Sequence, residues 1–181
     1  MNPENPKEII AYPKIAAELQ RMVGVDQEMR MKSNTDNSWD ESVDRENTER
    51  MKEIVFEIGW PTISKVGRVG SSNAWLLVQH ADHNISFQEQ CLKLMKEVPL
   101  YDIDPSDLAY LEDRVRVNKG IGQLYGTQFT QENNQHVPRP IEDEAEVDAR
   151  RAAMGMGSLA EQIEHMYEKY PFDDKNNEQN E

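Results

Sequence analysis

The stretch SNAWLLVQHAD, residues Ser72–Asp82, decides the fold class. Ala74, Leu77, Val78 and Ala81 fall at helical spacing, and Trp75 and Leu76 widen the stripe. An element apolar nearly all round belongs at the centre of a helical domain. Its far end reads Gln79-His80-Ala81-Asp82-His83. Just before it, Gly67, Gly70, Ser71 and Ser72 form a Gly-rich stretch. That spacing matches neither the Walker nor the dinucleotide fingerprint. It reads better as a loop over Thr62–Asn73 feeding an N-cap at Ser71 or Ser72 than as a phosphate cradle.

Further helices flank this one. A helix from about Ile15 carries Ile15, Leu19, Met22, Val23 and Met29 on one face. Asp26 and Arg30 sit four apart on it, which reads most simply as a solvated surface pair. Ser33–Asp44 is polar and acidic and reads as a loop around Trp39. A second helix, Arg45–Ile58, buries Met51, Ile54, Val55 and Ile58, and Gly59 and Pro61 stop it. Ser86 and Glu89 form a capping box for a fourth helix through Cys91, Leu92, Met95 and Val98. Asp104 as N-cap and Pro105 at the first helical position open a fifth, with Leu108, Leu111 and Val115 inward.

Gln123–Phe129 alternates like a strand, and Val137–Ile141 is its candidate hairpin partner, edge-bound by Pro138 and Pro140. A sixth helix over Glu144–Met154 and a seventh from the Ser158/Glu161 capping box to about Tyr170 complete the chain. The expected class is mainly α. It is a single domain of six or seven helices with one small β-hairpin, over residues 13–171. A loose arm over 1–12 precedes it, and a disordered acidic tail over 172–181 follows.

Lys plus Arg total 20 against 34 Asp plus Glu, a formal net charge of −14 over 181 residues. The isoelectric point is near 4.7 and the mean hydropathy is −0.83. Such a chain lacks the basic footprint of a nucleic-acid binder and would be repelled by anionic membranes. No apolar run approaches the roughly 18 residues of a membrane span. The single cysteine, Cys91, excludes an internal disulfide and a Cys-rich zinc site, and a cytoplasmic location fits. Cys91 sits at an apolar helix position and reads as a buried, inert thiol.

His80, His83, His136 and His165 are the histidines. His80, Asp82 and His83 are the nearest thing to a metal set, but that spacing alone is weak, so no metal ligands are assigned. No G-x-S-x-G elbow is present. The sharper feature is polar residues inside core-forming segments. Asp113 and Arg114 follow an apolar stripe; Gln123, Tyr125, Thr127 and Gln128 crowd one short segment; Asp148, Arg150 and Arg151 share a helix. Arginines read planar anions, amides and hydroxyls orient them, and a histidine moves protons near neutral pH. The competing reading is that these arginines tie helices together.

Six motifs occur in order: Asp26-Gln27-x-x-Arg30, Gly59-Trp60-Pro61, Gln79-His80-Ala81-Asp82, Leu111-x-Asp113-Arg114, Gln123-x-Tyr125-Gly126-Thr127-Gln128 and Asp148-x-x-Arg151. In this the chain resembles a bacterial family known only as a domain of unknown function, over roughly Leu19–Leu159. The resemblance implies that the polar motifs belong together; it implies no activity and no cofactor.

The functional expectation is a hydrolase-like enzyme, or a binding protein, for a small polar or anionic ligand. His80 and Tyr125 are its candidate catalytic residues. Gln79, Asp113, Arg114, Gln123, Thr127, Gln128 and Arg151 are its candidate ligand-binding residues. The alternative is a non-enzymatic acidic protein, an immunity or regulatory module, that masks a basic protein partner.

Overall fold

The computed structural model describes residues 10–36 and 38–172. Of the segments expected to be loose, 1–12 and 172–181, residues 1–9 and 173–181 lie outside them, whereas Ala11 and Tyr12 bond to the backbone of α3 and Phe172 stacks on His136. Among the described residues the chain forms seven α-helices and one two-stranded antiparallel sheet. In order they are α1 Pro13–Asp36, α2 Glu41–Ile58, α3 Ile63–Gln79, α4 Ile85–Glu97, α5 Pro105–Asn118, β1 Phe129–Glu132, β2 Gln135–Pro138, α6 Val147–Ala153 and α7 Leu159–Lys169. The mainly α class with one hairpin is thus what the chain adopts. No helix among the described residues is long and apolar enough to cross a membrane.

The residues gather into two compact units, 1–111 and 112–181, and the boundary falls inside α5. In the first unit α1 packs chiefly on α3, with α2 against both and α4 against α3. Ala74, Leu77, Val78 and Ala81 are almost wholly buried, as their stripe requires. Leu19 from α1 and Met51 and Ile54 from α2 are equally buried. Trp60, in the α2–α3 connection, is also buried.

Three boundaries differ from the sequence reading. The polar segment Ser33–Asp44 is mostly helical: α1 runs to Asp36 and α2 starts at Glu41, with the Asp40 carboxylate accepting from the Ser42 amide as its N-cap. Acidic residues in that first turn suit the helix dipole, so charge there favours helix rather than loop. The Gly-rich segment is also helical, interrupted only at Gly67 (φ 75°, ψ 164°). At that break the carbonyls of Ser64 and Lys65 accept from the amides of Ala11 and Tyr12. A Cβ at position 67 would stand 3.3 Å from Ile10, so glycine serves both the turn and the approach. The N-cap of α4 is Asn84, which accepts from the Phe87 amide, two residues before the expected Ser86.

In the second unit the hairpin begins later than its alternation suggests. Phe129 pairs with Pro138 and Glu132 with Gln135, around Asn133 and Asn134, both at positive φ. Residues 123–128 form a tight coil instead of a strand, for a reason given below. His136 Nε2 on β2 donates to the Tyr170 carbonyl at 2.7 Å and the ring stacks on Phe172, which joins the hairpin to the end of α7. The Ser158/Glu161 capping box forms as read.

Gly126 (φ 67°) lies under α7: a Cβ there would stand 2.6 Å from Leu159. Gly126→Ala should therefore destabilise by roughly 2–4 kcal/mol, left-handed strain plus overpacking. Gly155 has the same φ sign but open space around it. Gly155→Ala should cost only about 1–2 kcal/mol, and urea unfolding of the two variants measures the difference.

Candidate functional site

Asp26 follows Ile15, Leu19 and Val23 along the inner face of α1, and its side chain has no exposed surface. A carboxylate cannot stay buried without donors. Three side chains supply them. Gln27 Nε2 donates at 2.7 Å, Arg30 Nε at 3.2 and 3.3 Å, and His80 Nδ1 stands 2.9 Å away. Burial pushes the Asp26 carboxyl up, but the hydrogen bonds from His80 and Gln27 and the charges of His80 and Arg30 outweigh it. The carboxyl titrates below its ordinary range.

His80 closes the end of α3, where its amide bonds to the Leu76 carbonyl at 3.2 Å. Its Nδ1 also lies 3.1 Å from Arg30 Nε. One ring nitrogen cannot serve both neighbours. A carboxylate oxygen at 2.9 Å demands a proton on Nδ1, and Arg30 Nε then donates to Asp26. That assignment leaves Nε2 unprotonated in the neutral ring. Among the described residues Nε2 has no hydrogen-bond partner, and the side chain is 18% exposed.

Arg30 extends the cluster to α2, where its Nη2 meets Asp44 at 2.7 Å. The Trp39 ring covers the guanidinium, with Cζ 5.0 Å from the ring centre. Burial raises the Asp44 carboxyl, opposed by Arg30 and reinforced by Asp26. Asp26, Asp44 and His80 present ligand atoms within 4.8 Å of one another. The Arg30 guanidinium bonds to both carboxylates and supplies the positive charge at that point. The Asp82 side chain accepts from Gln88 at 3.1 Å, and His83 is exposed.

The first unit also holds unmatched donors. Among the described residues, the buried side-chain polar atoms without a partner are Asn47 Nδ2, Trp60 Nε1, Trp75 Nε1 and Gln79 Nε2. All four are N–H donors. Trp75 and Gln79 are four apart on α3, so they share one face of that helix.

The second unit brings seven of the nominated residues together. Asp113 has no exposed surface and accepts from the amides of Leu124 (2.7 Å), Tyr125 (3.1 Å) and Thr127 (3.0 Å) and from Thr127 Oγ1 (2.9 Å). Burial raises its carboxyl even against these bonds. The amides that a strand would turn to a neighbour point instead at one carboxylate, which is why 123–128 coils. Gln123 completes the knot, donating to the carbonyls of Gln128 and Arg139 and accepting from the Gln128 amide. Arg114 Nη1 donates to Gln128 Oε1 at 3.1 Å. The buried Arg151 donates to the carbonyls of Gly157 and Tyr125 and to Gln162 Oε1, and Arg150 to those of Leu124, Glu142 and Asp143. Burial and the charges of Glu112 and Asp113 raise the Tyr125 phenol, so it stays protonated.

Gln79 and His80 thus lie in the first unit, and Asp113, Arg114, Gln123, Tyr125, Thr127, Gln128 and Arg151 in the second. Sequence reasoning missed Asp26, Arg30 and Asp44 as functional groups. The signal was available for Asp26: an acid at a stripe position of an amphipathic helix.

A model of a family of unknown function, DUF6624, matches residues 13–175, from the first residue of α1 to beyond α7. The chain belongs to this family. No curated protein and no solved structure matches it. The DUF6624 match takes in both the Asp26–His80 cluster and the Asp113 knot.

In this DUF6624 chain Asp26→Asn should lower the unfolding free energy by about 2–4 kcal/mol at neutral pH, because it leaves Arg30 and His80 beside a neutral amide. The folded carboxyl titrates below the unfolded value of roughly 3.9, so its contribution is complete above that pH and is lost as pH falls through the folded value. The gap between wild type and variant should close in acid, as read by urea unfolding across pH.

Proposed function

We propose that the chain is a hydrolase-like enzyme acting on a small polar substrate, with His80 as its general base. The observation that carries this reading is the fully buried Asp26 carboxylate 2.9 Å from His80 Nδ1. Such a partner fixes the Nδ1–H tautomer and stabilises the imidazolium that forms when Nε2 takes a proton. Nε2 draws the proton from an attacking water and returns it to the leaving group. Asp26 stays ionised throughout, as its lowered titration range requires.

The donor set supports an acceptor-rich substrate. Gln79 follows Trp75 by one helical turn and directly precedes His80, and both side chains carry buried N–H groups without acceptors. A carbonyl oxygen gaining negative charge would satisfy them. The charge around His80 favours an uncharged ester or amide over an anion. Asp26 and Asp44 carry two negative charges there, and the single guanidinium of Arg30 is already bonded to both. Arg151 and Arg114, expected to hold an anion, have guanidinium groups engaged with carbonyl and amide oxygens of their own unit. They support the reading as scaffold rather than as ligand contacts.

The test pairs a spectroscopic readout with turnover. Nitrogen-15 NMR of His80 should show the neutral ring protonated at Nδ1. Among activated esters and small amides, at least one should be turned over. His80→Gln should lower that rate by about 10²–10⁴-fold with the helical circular dichroism retained. A ring protonated at Nε2 would overturn the reading. So would a folded His80→Gln protein with undiminished turnover.

A further inference from the structure

The first unit holds a cavity of about 330 Å³ between the early turns of α3 and the start of α5. Its volume equals roughly ten waters at about 30 Å³ each, which suits a small organic molecule better than a bare ion. Its charged lining is of both signs. Asp104 and Asp107 come from α5 and its cap, and Arg68 from α3. Ser71, Ser72 and Asn73 add hydroxyl and amide groups along the same wall.

Asp107 is the informative member. It is 9% exposed, and among the described residues its carboxyl makes no hydrogen bond. Its place in the first turn of α5 would let it serve as the back-bonding residue of a capping box. It does not: Asp104 alone caps the turn, accepting from the Ser106 amide at 3.0 Å and hydroxyl at 2.8 Å. Asp107 is thus a buried acid lining a cavity with no hydrogen-bond partner among the described residues, which is costly unless it is protonated or meets a cation. Arg68 is exposed and likewise makes no hydrogen bond or ion pair among the described residues. Asn73 uses Nδ2 on Gln20 Oε1 at 3.0 Å, which leaves its own Oδ1 as an acceptor.

We propose that this cavity is a binding site for a small zwitterion of the free amino-acid class, with the ammonium group on Asp107 and the carboxylate on Arg68. A simple amine would leave Arg68 unmatched and repelled, and a simple anion would face two carboxyl groups. A molecule carrying both charges matches both ends. The Ser71 and Ser72 hydroxyls and Asn73 Oδ1 supply the remaining hydrogen bonds.

The site is separate from His80 and does not rest on the proposed hydrolysis. It also has a pH signature. Burial and the nearby Asp104 push the Asp107 carboxyl up to about 7. The charged groups facing it are Asp104, on its own element, and Arg68 across the cavity. An ammonium ion binds the ionised carboxyl, so affinity should rise from about pH 6 to about pH 8, where a free amino acid keeps its ammonium proton.

The test uses the full chain and the individual common L-amino acids as probes, followed by NMR chemical-shift perturbation and calorimetry. At least one should bind with a Kd below about 1 mM near pH 8 and several-fold more weakly near pH 6. Asp107→Asn should weaken binding at least tenfold near pH 8, and so should Arg68→Gln. The second variant, at an exposed position, reads out the site even if the first fails to fold. n-Propylamine and propionate, each with one charge only, should bind at least tenfold more weakly than the amino acid. No perturbation by any amino acid at millimolar concentration would overturn the proposal. Equal binding by the Arg68→Gln protein, or by n-propylamine alone, would overturn it too.

Discussion

A carboxylate with no exposed surface constrains everything near it. Asp26 sits on the buried face of α1, and its charge is tolerable there only because donors converge on it. Gln27 and Arg30 come from the same helix. His80 comes from the end of α3. Arg30 then reaches α2 through Asp44. One anion therefore ties three helices at a single point, and the apolar stripes of those helices meet along the rest of their length. The hydrophobic faces supply most of the driving force. They do not specify which turn of α3 lies beside which turn of α1. A directional bond of 2.9 Å between Asp26 and His80 does so.

The second unit repeats the device with a different outcome. Asp113 is also fully buried, but its donors are backbone amides of the following coil. Its role is to shape residues 124–127, and Gln123, Arg150 and Arg151 hold the same coil through its carbonyls. The contrast lies in what is left over. At Asp113 the surrounding donors and acceptors are matched to one another. In the first unit, among the described residues, His80 Nε2 has no hydrogen-bond partner, and Gln79 and Trp75 keep buried donors without acceptors. Unmatched polar groups are costly to maintain, and they are what distinguishes the first unit's polar residues from the matched set around Asp113.

Much of this was legible in the chain. Stripes at helical spacing located the helices, the Asp104-Pro105 and Ser158/Glu161 signals placed two starts, and Gly59 with Pro61 placed a stop. The errors share a cause. The acidic segment before α2 and the Gly-rich segment in α3 look like loops by composition. Dipole-matched acids favour helix in the first, and in the second Gly67 alone departs from the helical conformation. The Gln123–Gln128 alternation looks like a strand, but a strand needs its amides free for a neighbour, and Asp113 takes them.

For the site, the residue types were visible and their partners were not. The sequence by itself determined that the chain is helical and acidic and that His80 stands at the end of an apolar helix. Local periodicity and capping depend only on near neighbours, so they can be read from the order of residues. Only the tertiary structure decided that Asp26 and His80, 54 positions apart, form one pair, and that Arg151 serves carbonyl groups. The same is true of Asp107, which lines a cavity without a hydrogen-bond partner among the described residues. Those outcomes depend on which donors reach a buried charge once the helices have packed, a geometric fact that no local pattern encodes.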